Sequence, residues 1–104
     1  MDVPFIILEP GCVPQMALMP DCSFVKLRSL LGASILEVVD IKDSRFEQKH
    51  VLLVDEDGRS KGLDFNQVAS DAACQELVGR VISILLEDFQ KLPYDLENEN
   101  DTMQ

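Results

Sequence analysis

Tryptophan is absent from this 104-residue chain, tyrosine and histidine occur once each, and lysine and arginine together number nine. One histidine leaves little room for acid-base or metal chemistry. His50 would have to act with cysteines far away in sequence, and it opens an apolar strand where it flanks a turn, so neither a Cys-His nucleophile pair nor a zinc site is expected. The three cysteines, Cys12, Cys22 and Cys74, are odd in number and contain no C-x-x-C spacing. That excludes full disulfide pairing and points to reduced thiols, at least partly buried. No apolar run approaches the roughly 20 residues of a membrane-spanning helix. A basic leader is missing too: Asp2 stands where an n-region would be positive, and the first apolar run breaks at Glu9-Pro10. A cytosolic protein without cofactor is the expectation.

What the chain has in abundance is acid. Nineteen Asp and Glu give a formal charge of −10, and 46% of residues are apolar. The length suits one domain with a modest core. From Glu87 onward six acids face only Lys91, and little apolar content follows Leu96. Residues 1–94 are therefore expected to fold as one domain and 95–104 to form an acidic disordered tail. A negative field repels phosphate backbones, so direct nucleic-acid binding is disfavoured; the first reading of the charge is solubility, and it leaves open an acidic surface that binds a basic protein by imitating a nucleic acid. Nothing sets the oligomeric state, and a homodimer stays open.

Two apolar runs that break on an acid and a glycine, Phe5-Ile6-Ile7-Leu8-Glu9-Pro10-Gly11 and Val51-Leu52-Leu53-Val54-Asp55-Glu56-Asp57-Gly58, read as buried strands entering tight turns. Between them come a short strand Gln15–Met19, a helix capped by Asp21 or Ser23 and stopped by Gly32, and a strand over 34–41. That last strand has apolar side chains on both faces and reads as central. Beyond the turn, where Gly58 is expected to supply a positive φ, Asp64 can cap a short helix. Leu77–Leu86 reads as the fifth strand with Gly79 inside it. The fold class is α+β: a mainly antiparallel sheet of about five strands, covered on one face by the Ser23–Leu31 helix, with one further short helix. The expected core is Phe5, Ile7, Phe24, Leu27, Leu31, Val38, Leu53, Val81 and Ile84.

The order of Leu8-Glu9-Pro10-Gly11, Leu30-Leu31-Gly32 before Ile35-Leu36-Glu37-Val38-Val39, Val54-Asp55-Glu56-Asp57-Gly58, Lys61-Gly62-Leu63 with Asn66, Val78-Gly79-Arg80-Val81-Ile82 and Glu87-Asp88-Phe89 with Leu92 resembles a family of small domains of unknown function found mainly in bacteriophage and mobile-element genes. The chain departs from that pattern at Ala33-Ser34 and over 70–76. The resemblance implies an accessory protein acting in the bacterial cytosol and brings no catalytic residues with it. Three function classes follow. The first is a non-catalytic inhibitor of a bacterial host protein, such as a defence component, with Glu37, Asp40, Asp43, Asp55, Glu56 and Asp57 steering it to a basic surface. The second is a small-ligand binder that sequesters a nucleotide signal through Arg59, Lys61, Asn66 and Arg80. An enzyme, the third, has no nucleophile-base pair or phosphate-cradling loop behind it.

Overall fold

The computed structural model describes residues 2–41 and 49–93. Asp43 and the expected acidic tail lie outside the described residues. Five strands, β1 (Val3–Leu8), β2 (Gln15–Met19), β3 (Leu36–Asp40), β4 (His50–Asp55) and β5 (Val81–Leu85), form one antiparallel sheet in the order β2-β1-β5-β4-β3. The first connection is built as its residues dictate. Pro10 fixes φ, Gly11 adopts a φ of 75°, and the Cys12 N–H closes the turn on the Glu9 carbonyl at 3.1 Å.

Period-two alternation divides the apolar residues between the two faces of the sheet. On the first face Val3, Phe5, Val51, Leu53, Ile82 and Ile84 pack under Leu27 and Leu31 of α1 (Phe24–Leu31) and under Leu92. Ser23 caps α1, its side chain accepting from the Lys26 N–H, and Gly32 ends it. A short α3 (Leu86–Gln90) follows β5 directly and brings Phe89 to Phe24, ring centroids 6.1 Å apart.

The second face is covered as well, by the short helix that follows Asn66. Leu8, Val39, Leu52, Val54 and Val81 lie under Ala69 and Ala73 of α2 (Gln67–Ala73) and under Leu77. The cap of α2 is Asn66, not Asp64. This cover is partial: at the β2 end of the same face Met16 and Leu18 stand 83% and 61% exposed.

Three further expectations are corrected. The third strand, β3, lies at an edge, with Val38 45% exposed and outside the core. Its Glu37 and Asp40 mark it as an edge better than its aliphatics mark it as central. The fifth strand begins at Val81, so Gly79 precedes it. Gly79 sits at a φ of +77°, and a Cβ there would come within 2.6 Å of Leu63. Gly58 lacks the positive φ expected of it. It is glycine for want of space, since a Cβ would approach Val78 to 2.9 Å and the Asp55 carbonyl oxygen to 3.3 Å.

Candidate functional site

Where β4 runs out, the chain leaves the sheet through a turned segment whose backbone is closed by Gly58 N–H to Asp55 O and Lys61 N–H to Asp57 O, both at 3.0 Å. A bond from the Glu56 N–H to the Ile35 carbonyl oxygen (3.1 Å) fixes this turn against the start of β3. Opposite it lies the segment after α2. Ser70 pins that segment, its Oγ accepting from the Leu77 N–H at 2.8 Å and donating to the Leu77 carbonyl at 3.2 Å. Between turn and segment opens a cleft of about 260 Å³ lined by Glu37, Val54, Asp55, Glu56, Arg59 and the stretch from Gln75 to Val78.

The charges in this cleft are unevenly satisfied. Arg59 donates to the Glu76 carbonyl oxygen at 3.1 Å and pairs loosely with its carboxylate at 3.7 Å, so one acid and one base offset each other. Asp55 is buried and pairs with Lys61 at 2.5 Å, while its other oxygen accepts from the Asp57 N–H at 2.9 Å. Burial alone would raise the Asp55 pKa. The hydrogen bond from Lys61, the Asp57 N–H and the Lys61 charge outweigh that and hold the carboxyl below its ordinary value. Lys61 also donates to the Gly32 carbonyl oxygen at the end of α1, at 3.0 Å. Glu37 and Glu56, by contrast, have no cationic partner among the described residues. Among those residues no group of acids, cysteines and histidine is arranged to hold a metal ion.

The structure thus gathers Glu37, Asp55 and Glu56 of the acidic set into one cleft. Asp55 takes a structural position there, its charge neutralised internally. Asp57 is exposed on the turn, and Asp40 is exposed on β3 across the sheet from Glu37.

The residues considered for a small ligand are not brought together. Asn66 is buried, and each end of its amide is committed. Nδ2 donates to the carbonyls of Leu8 (2.9 Å) and Gly79 (2.8 Å), and Oδ1 accepts from the Ala69 N–H at 3.1 Å. Arg80 clamps β1 to α1, donating through Nε and Nη2 to Glu9 Oε2 at 3.0 and 2.7 Å and through Nη1 to the Leu30 carbonyl at 2.7 Å. The Glu9 hydrogen bonds hold the guanidinium pKa above its usual value. Of the cysteines, Cys22 is buried, and burial raises its thiol pKa; Cys12 and Cys74 are exposed and all three are free.

Sequence reasoning missed Glu76 and Gln75 as cleft residues and Glu9 as the partner of Arg80. The pairs join residues 17 apart (Arg59 with Glu76) and 71 apart (Glu9 with Arg80), and no local pattern links them. Compared with known protein families, with curated proteins and with solved structures, the chain matches none.

Proposed function

We propose that this protein acts by stoichiometric binding, without turnover, to a basic segment of another protein, and that the acidic cleft receives a lysine or arginine side chain of that segment. The carrying observation is that Glu37 and Glu56 border the cleft with no cation of the described chain to offset them. At about 260 Å³ the cleft falls below the roughly 300–1,000 Å³ of ordinary small-molecule sites. Its sign repels the phosphates of a nucleotide. Arg59, Lys61, Asn66 and Arg80, the residues considered for a nucleotide, each bond to the protein's own backbone or carboxylates. The resemblance supplies the setting for the proposal, a bacterial host protein whose inhibition benefits a phage or mobile element.

Calorimetry with an arginine-rich peptide and with mixed nucleotides tests this reading. The expected result is saturable 1:1 peptide binding that is lost when Glu37 and Glu56 are both changed to lysine. Tight nucleotide binding by the isolated protein, lost on Asn66→Ala or Arg80→Ala, would overturn it.

A further inference from the structure

The two edges of the sheet are unlike. β3 carries Glu37 and Asp40, charges of the kind that keep an edge from pairing with another strand. β2 carries none. From Gly11 to Pro20 the chain holds no charged residue, in a protein whose formal charge is −10. Among the described residues β2 is bonded to β1 on one side only, and the N–H and C=O groups of its other side meet no described strand. On the face left bare by α2, Met16 and Leu18 lie opposite Ile6 and Pro4 of β1 and continue an apolar groove of about 170 Å³ that reaches Ser83 and Leu85.

We propose that a second copy of this chain pairs with this edge, β2 against β2, antiparallel about a two-fold axis at Ala17, giving a continuous ten-stranded sheet. The strand is self-complementary in that register. Met16 of one copy falls opposite Leu18 of the other, twice, on the same face, while Ala17 meets its own counterpart. Centring on Ala17 works whichever alternate residues of β2 point their backbone groups outward, because a two-fold axis can pass through either kind of antiparallel pair.

Charge favours this seam over others. The acidic cleft sits at the β3 side, four strand spacings or about 19 Å from β2. That is more than two Debye lengths at about 0.15 M salt, where the Debye length is about 8 Å, so the two acidic clefts barely sense each other across the dimer. Pro14 and Pro20 flank the strand, remove donors at both ends and confine the ladder to Gln15–Met19. The pairing is isologous and uses up both β2 edges, while the β3 edges left outside are charged. It closes at two copies.

Sedimentation equilibrium of the full chain between about 5 and 500 µM is the test, a range chosen because so short an interface belongs with weak associations. The expected mass rises from 11.7 kDa toward twice that value as concentration increases. Met16→Lys, at an exposed position, should keep the wild-type melting temperature and stay at the single-chain mass throughout. In a Cys12→Ser/Cys74→Ser background, Ala17→Cys should form an intermolecular disulfide on oxidation, because facing Cα atoms about 4.5–5.5 Å apart fall within disulfide reach. Gln15→Cys, displaced from its own counterpart by four residues or about 13 Å along the strand, should not. A wild-type chain that stays monomeric across the range overturns the proposal. So does a dimer unaffected by Met16→Lys, or equal cross-linking at positions 15 and 17.

Discussion

Lys61 shows how a single surface cation can serve two elements. It neutralises the buried Asp55 at the end of β4 and caps the Gly32 carbonyl behind α1. Replacing it by alanine leaves a buried carboxylate with only the Asp57 N–H. The cost at neutral pH should be about 1–2 kcal/mol, tempered because Lys61 is 40% exposed and solvent screens the pair. The pH dependence has a definite sign. The folded-state pKa of Asp55 is depressed, so its stabilisation is complete above the ordinary value of 3.8 and is lost as pH falls through the lower folded value. Urea unfolding of wild type and Lys61→Ala should therefore give a gap that is full at pH 7 and narrows as pH falls below 3.8; a gap constant with pH would mean Asp55 is not the group Lys61 serves. Asn66→Ala strands two carbonyls and one N–H, and should cost about 1–3 kcal/mol or more in the same measurement. The partners of Asn66 could not be read from the sequence, because Leu8 lies 58 residues away in the chain.

Among the elements, those with strong local signals were readable and those defined by their neighbours were not. β2 occupies the expected residues, and α1 starts at Ser23 and stops at Gly32 as its caps dictate. The position of β3 in the sheet could not be read this way, since a run such as Ile35-Leu36-Glu37-Val38-Val39 looks the same at an edge and at the centre. The cover given by α2 escaped because its buried face is made of Ala69, Ser70 and Ala73, residues too small to leave an apolar stripe in the pattern. The acidic cleft was half legible: Glu37, Asp55 and Glu56 stand out by charge, but their meeting with Glu76 depends on how α2 returns to the sheet. The load on α1 is testable directly. Leu27 is wholly buried, and Leu27→Ala should lower unfolding free energy by about 2–5 kcal/mol, against under about 0.5 kcal/mol for a solvent-facing leucine.

For the whole molecule, the distribution of charge predicts different salt responses for its two proposed contacts. Binding of a basic segment to the Glu37–Glu56 cleft should weaken as salt rises, because the Debye length falls from about 10 Å at 0.1 M to about 3 Å at 1 M. Stopped-flow association with a basic peptide should slow several-fold over that range with dissociation little changed, whereas self-association through the uncharged β2 edge should depend far less on salt. A peptide affinity indifferent to salt would place its contact away from the cleft. The strand order carries one more consequence. β5, the last in chain order of the described strands, occupies the centre of the sheet and joins the β1–β2 pair to the β3–β4 pair. A nascent chain that has not yet delivered Val81 to Leu85 therefore holds two separate ribbons, each with an apolar inner edge at β1 or β4 open to any other strand. At about 5–20 residues per second the inner edge of β4 waits for the synthesis of the 25 residues between Asp55 and Val81, and that of β1 waits longer, since its partner β2 already ends at Met19.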